Sequence, residues 1–108
     1  MIKTLAQLAE SLNELYPTQY SHFTHAQKPP FICYLTDESE DSFYADDEVY
    51  VEGTLVTIEF YTKNKDLTGE NKIKTMLKNN KVPYLKGPTI LIESEGLFLT
   101  TFSVKLMN

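Results

Sequence analysis

The sequence predicts an α+β fold in which a mainly antiparallel β-sheet carries two α-helices packed on one face. Three observations predict it: leucines at helical spacing near the start, an alternating strand in the middle, and a second amphipathic segment followed by two strands joined by a short turn. The chain has 108 residues, enough for one hydrophobic core, so we expect a single domain over residues 1–108.

The first helix begins at a capping box. Thr4 and Gln7 have the spacing at which each side chain satisfies a backbone donor of the first turn. The apolar positions that follow recur at helical spacing, and Pro17 ends the pattern; they are Leu5, Leu8, Leu12 and Leu15. The next segment, residues 20–25, is short and aromatic and is compatible with either a strand or an ordered loop.

Two clear strands are predicted in the first two thirds of the chain. Two prolines lead an extended chain into Phe31–Thr36, which is rich in β-forming residues. Residues 43–51 favour one or two further short strands, and Gly53 favours a tight turn. Over Thr54–Thr62 the side chains alternate, which predicts that one face points to the core: Val56, Ile58 and Phe60.

The last third predicts a helix and a hairpin. Asp66 is a favourable N-cap for a helix over Leu67–Asn79, and Asn79–Asn80 can end it in the left-handed conformation. The predicted buried stripe of this helix is Leu67, Ile73, Met76 and Leu77. Strands are then predicted over residues 89–94 and Leu97–Leu106, joined at Glu95-Gly96, and the second strand has one apolar face: Phe98, Phe102, Val104 and Leu106.

Charge divides the chain into two parts. Between Lys28 and Lys63 there are nine acidic residues and no basic one, whereas seven lysines and two acids lie from Lys63 to Lys86. The net charge of -5 conceals this separation. Two opposed electrostatic surfaces on a short chain favour contacts with copies of itself or with neighbours in an assembly.

The composition disfavours several classes of function. All ten basic residues are lysines, so the bidentate arginine fork used for guanine edges is missing and sequence-specific nucleic-acid recognition is disfavoured. No apolar run approaches the roughly 20 residues that cross a bilayer. The helical pattern starts at once, so we expect no secretion signal and assembly in the cytoplasm. The single Cys33 lies in an apolar run and is interpreted as a small buried hydrophobe.

Candidate chemical sites in the sequence are weak. His22 and His25 are three residues apart, a spacing that places metal ligands together only on a helix, and no third ligand is evident. The acidic segment lacks the glycine of a calcium loop, and a solvated loop is the preferred interpretation. No nucleophile elbow or glycine-rich phosphate loop is present. We therefore expect no enzyme, no cofactor and no resident metal.

A cluster of lysines is the one candidate nucleic-acid patch. Such clusters bind phosphates electrostatically, but this one has no interleaved aromatic residues for base stacking: Lys72, Lys74, Lys78, Lys81 and Lys86. A solvated helix face, or a patch that meets an acidic neighbour, is the preferred interpretation.

Four stretches of the chain together resemble a known family. They are Tyr20-Ser21-His22-Phe23; Gln27-Lys28-Pro29-Pro30-Phe31-Ile32 with Tyr34; Phe43-Tyr44-Ala45-Asp46-Asp47 with Val49-Tyr50; and Ile58-Glu59-Phe60-Tyr61-Thr62 with Lys65-Asp66. In this combination they resemble the small tail-completion, or tail-terminator, proteins of long-tailed phages and prophages of Gram-positive bacteria. The resemblance covers most of the chain and is thinnest from residue 81 onward.

The resemblance implies a structural role in the virion tail. A tail terminator forms a ring, expected to be a hexamer, that caps the head-proximal end of the tail tube and stops its polymerisation. Its implied partners are copies of itself, the major tail tube protein and the head-completion or connector protein. Double-stranded DNA would pass through the lumen without sequence-specific binding. The family supplies no catalytic residues.

Charge separation suggests how such a ring would close. Head-to-tail rings need two different, complementary surfaces on each subunit. We therefore predict an interface in which an acidic segment with two aromatic anchors meets a basic helix. Its residues are Asp37, Glu38, Glu40, Asp41, Phe43, Tyr44, Asp46 and Asp47 on one side, and Lys72, Lys74, Lys78 and Lys81 on the other.

Several alternatives remain open from the sequence alone. In one alternative, the acidic residues line the lumen of the ring and repel DNA phosphates. In another, they only keep the protein soluble. A head-completion or connector protein shares the size and ring symmetry of a terminator. From other classes, the alternatives are a small metal-binding module or enzyme built on the histidines and acids, and a DNA-binding accessory protein.

Overall fold

The computed structural model describes residues 2–21, 23, 27–36 and 54–106. Within them the elements are, in chain order, α1 (Leu5–Leu15), β1 (Thr18–Tyr20), β2 (Phe31–Thr36), β3 (Thr54–Thr62), α2 (Leu67–Asn79), β4 (Tyr84–Ile92) and β5 (Leu97–Leu106). The predicted α+β class is confirmed. The strands predicted over residues 43–51 and the turn at Gly53 lie outside the described residues.

The strands form one sheet in the order β1-β2-β3-β5-β4. All pairs are antiparallel except β1 with β2, which are parallel. β3 and β5 are the central strands, paired without interruption from Thr54 opposite Leu106 to Thr62 opposite Phe98. Among the described strands β4 lies at one edge of the sheet, and its pairing with β5 is irregular between Lys86 and Thr89.

The alternation of β3 gives the sheet two distinct faces. Val56, Ile58 and Phe60 are at most 2% exposed and form the core face, as predicted. On β5 the same face continues through Phe102, Val104 and Leu106, also buried, while Phe98 is half-buried. This face is where the hydrophobic core of the domain lies.

Both helices cover that core face. Leu8 and Leu12 of α1 and Ile73 and Leu77 of α2 are fully buried in the same cluster as the strand residues. The predicted capping box of α1 is present, with Gln7 N donating to Thr4 Oγ1 at 3.1 Å. The predicted packing of two helices on one face is therefore confirmed.

Three sequence predictions need correction. Leu67, predicted to be buried, is 72% exposed. The inward positions of the first turn belong to Gly69 and Glu70, and Leu67, six residues before the buried Ile73, points away from the core. The left-handed residue after α2 is Lys81 (φ 58°), whereas Asn80 has φ -97°. The fourth strand begins at Tyr84, five residues before the predicted start, and ends at Ile92.

Candidate interaction surfaces

The outer surface of α2 carries three of the lysines predicted to lie in an interface. Asp66 caps the helix, with its Oδ1 accepting from Gly69 N at 2.9 Å. At 100° per residue, Lys74 and Lys78 share one flank, and Lys72 lies on the other flank beside α1. The lysines therefore form two groups around the helix. Lys81 follows the helix and is exposed.

Lys72 is held against the first helix. Its Nζ lies 5.7 Å from the centre of the Tyr16 ring, a distance at which the cation is attracted to the π face. The Tyr16 ring packs in turn on Phe60, with 5.1 Å between ring centres. Lys72 therefore contributes to the contact between α1, α2 and the core, whereas Lys74 and Lys78 have no such contact among the described residues.

Close packing sets the position of α2 on the sheet. A Cβ atom added at Gly69 would lie 2.7 Å from Cζ of Phe60 and 2.9 Å from Asp66 Oδ2. Only a residue without a side chain leaves room for the Phe60 ring at this point. Gly69 thus brings the first turn of α2 directly onto β3.

A buried carboxylate joins α2 to the sheet edge. Glu70 is 3% exposed, and its Oε1 lies 3.5 Å from Lys86 Nζ on β4. Its Oε2 lies 3.3 Å from Thr89 Oγ1 and 3.4 Å from Thr100 Oγ1, and the two hydroxyls are 2.7 Å apart. Because each hydroxyl has one proton, one threonine donates to Glu70 while the other donates to its neighbour. Sequence inspection had not identified this network, since no local pattern marks it.

The burial of Glu70 determines the charge that α2 presents to solvent. Glu70 is the only acidic residue of the helix, and it is paired within the fold. The exposed charges of α2 are therefore all positive. Among the described residues, no acidic oxygen lies within 4.0 Å of the four lysines predicted for the interface.

A groove lies beside α2, on its α1 side. Its volume is about 590 Å³, and Leu15 and Met76 supply its apolar part. The remaining lining is hydroxyl, amide and one cation: Thr68, Asn71, Lys72, Thr75, Asn79 and Asn80. The exposed part of this lining is more apolar than polar, so the groove suits a protein surface that presents apolar side chains together with hydrogen-bonding groups.

Strand β4 exposes large aliphatic side chains. Leu85 is 77% exposed, Ile90 51% and Leu91 52%. In the sequence, Ile90-Leu91-Ile92 lacks the alternation of a strand with one solvent-facing side, which indicates apolar side chains on both faces of the strand but not whether they are exposed. The edge of the sheet is therefore a second candidate interaction surface.

The other face of the sheet carries a small polar and aromatic cluster. Cys33 is 4% exposed and lies opposite Glu59 on the neighbouring strand, outside the main core cluster. Tyr61 Oη donates to Glu59 Oε1 at 3.0 Å, and the Tyr61 ring stacks on Phe31 with 4.9 Å between centres. Burial raises the pKa of the Cys33 thiol above its ordinary value of 9.0, and the charge of Glu59 adds to this. The thiol is thus protonated at neutral pH and lacks the thiolate that nucleophilic cysteines use.

This cluster predicts that stability falls at alkaline pH. Burial, followed by the charge and hydrogen bond of Glu59, also raises the pKa of Tyr61. Because both groups hold their protons more tightly in the folded state, the unfolded chain loses them first, and the free energy of unfolding decreases as pH rises above about 9. Urea unfolding between about pH 8 and pH 11 should show a shallower decrease for Tyr61→Phe than for the wild type. Equal slopes for the two proteins would contradict this prediction.

The other predicted site residues lie outside the described part of the chain: His22, His25 and the acidic segment with Phe43 and Tyr44. Within the described part of the chain, no group of three or more His, Cys, Asp or Glu side chains is arranged to hold a metal ion. The described helices include none that is long and apolar enough to cross a membrane.

No protein-family model matches the chain, and no curated protein matches it either.

Proposed function

We propose that this chain is a structural protein of a phage or prophage tail. In this role it caps the head-proximal end of the tail tube, ends tail polymerisation and forms part of the head-tail joining interface. Two things support the proposal: the four stretches that resemble tail-terminator proteins, and a surface suited to contact with another protein. The proposed working form is a ring, with a hexamer as the expected size.

The cationic outer surface of α2 carries the proposal. Because Glu70 is buried and paired with Lys86, the helix offers only positive charge to its surroundings. The sequence supplies the opposite charge elsewhere, in the acidic segment that begins at Asp37. Two different, complementary surfaces on one subunit are what a head-to-tail ring requires, since each subunit uses one surface toward each neighbour.

The ion pairs in such a contact would guide it more than they would stabilise it. Exposed pairs contribute about 0–1 kcal/mol each and weaken with salt. They would instead speed the association of two subunits and fix the register in which the subunits meet. In the proposed contact Phe43 and Tyr44 would act as apolar anchors, and the groove beside α2 offers a mainly apolar lining with hydrogen-bonding groups.

Charge reversal on α2 tests the contact. We expect Lys74→Glu/Lys78→Glu to prevent ring closure and to give tails longer than normal, because the reversed flank would repel an acidic neighbour. The measurement is the distribution of tail lengths by electron microscopy after complementation of a phage that lacks the gene. Lys63→Glu/Lys65→Glu is the matched control, since both lysines are exposed, lie outside α2 and produce the same change in net charge. This control should give normal tails.

A reciprocal variant completes the test. Reversing Asp46 and Asp47 to lysine should cause the same defect, and combining it with the α2 reversal should restore part of the assembly. Normal tail lengths in both single reversals, with soluble folded protein, would contradict the proposed contact.

Removal of the gene distinguishes the terminator role from its nearest alternative. Overlong tails without heads are expected for a terminator. Tails of normal length together with empty or leaking heads would instead indicate a head-completion protein, and would overturn the proposed role.

A further inference from the structure

The exposed aliphatic side chains of β4 point to both sides of the sheet. Ile90 lies opposite Leu99 and Leu91 lies opposite Phe98, so the two residues are consecutive and project to opposite faces. Both are about half exposed. A partner docked on one face of the sheet would cover only one of them. A strand added along the edge has neighbours on both faces and would cover both.

One part of β4 disfavours the addition of a further strand, and another part allows it. Pro88 has no backbone N–H, and the pairing shifts between Lys86 and Thr89; both features discourage strand addition at that point. From Thr89 to Ile92 the pairing with β5 is regular. β4 is also the last strand of the sheet in the described part of the chain, so this segment has backbone groups directed away from β5.

Charge along this edge indicates the orientation of the added strand. Lys86, whose side chain is 27% exposed, lies three residues before this segment. The turn that follows β4 is acidic, with exposed Glu93 and Glu95. Antiparallel pairing centred on residues 89–92 would place Lys86 of each strand opposite Glu95 of the other. A parallel copy would place like charges together.

We infer that β4 is a self-association surface, at which two copies of this chain pair antiparallel through residues 89–92 and join their sheets across a two-fold axis. The contact is isologous and closes after two copies. It uses the sheet edge and not α2, and it stands independently of the proposed tail function.

Dimerisation of the purified protein tests the inference. We expect sedimentation equilibrium of the wild type to show a concentration-dependent monomer–dimer equilibrium, and Ile90→Lys to raise the dimer dissociation constant by about tenfold or more. Gln19→Lys is the matched control, because it adds the same charge at an exposed position on the opposite edge strand. The control should change the constant by less than about twofold.

A charge reversal tests the orientation without removing apolar surface. Glu95→Lys should weaken the dimer, because the new lysine would lie opposite Lys86 of an antiparallel copy. Glu93→Lys makes the same change in charge opposite Pro88 and should weaken the dimer less. Circular dichroism and urea midpoints identify any variant that fails to fold. A wild type that stays monomeric up to about 1 mM, or equal dissociation constants for Ile90→Lys and Gln19→Lys, would overturn the inference.

Discussion

Phe60→Ala is expected to lower the free energy of unfolding by about 3–5 kcal/mol. The Phe60 ring is 1% exposed and lies where the sheet and both helices meet: Tyr16, at the end of α1, packs on it, and Gly69 brings α2 against its Cζ atom. Its removal would leave a cavity bounded by both helices, which cannot close without moving them. Since small domains are stable by only about 5–15 kcal/mol, the loss is a large fraction of the total.

Urea unfolding followed by circular dichroism measures this effect. The midpoint should fall while the slope of the transition stays the same, because the surface exposed on unfolding is nearly unchanged. Leu67→Ala is the matched control: Leu67 is 72% exposed, and we expect a change within about 0.5 kcal/mol. A loss below about 1 kcal/mol for Phe60→Ala would show that the two helices do not depend on this ring.

Lys86→Met is expected to destabilise the protein by about 2 kcal/mol. The change removes the only cation within 4.0 Å of the Glu70 carboxylate in the described part of the chain and leaves that carboxylate in a buried position. Breaking a fully buried pair costs about 3–5 kcal/mol, but the Lys86 side chain is 27% exposed and the distance is 3.5 Å, so a smaller cost is expected here.

A second substitution separates this mechanism from a simple loss of packing. In the Lys86→Met background, Glu70→Gln replaces the buried charge with a neutral amide whose oxygen still accepts from Thr89 or Thr100. We expect it to recover most of the lost stability, and the double-mutant cycle gives the coupling energy. If the double variant is less stable than Lys86→Met alone, the unpaired charge is not the cause.

The elements that could be predicted well are those defined by local chemistry. The alternation over Thr54–Thr62, the capping box at Thr4 and the N-cap at Asp66 each fix an element and its inward face. These features depend on residues within one or two turns of each other, so the linear sequence contains them. The same argument predicted the buried side of β5.

The candidate surfaces were predicted only in part. Sequence alone placed lysines on the exterior of α2, but it treated them as one basic surface, whereas Lys72 lies on the α1 flank and Lys74 and Lys78 on the other. The exposed residues of β4 were missed, because a run such as Ile90-Leu91-Ile92 is equally typical of a strand buried on both faces. Whether such a strand is central or at an edge depends on the sheet order.

By itself, the sequence determined that this is an α+β domain with a divided charge distribution, and it determined which side of most helices and strands faces the core. Only the tertiary structure decided that Glu70 is buried against Lys86 and two threonines, that Leu67 points outward and that β4 forms a sheet edge with exposed aliphatic side chains. The reason is physical: periodicity reports how one element is divided into faces, whereas burial of a charge and exposure of a strand depend on neighbours distant in sequence.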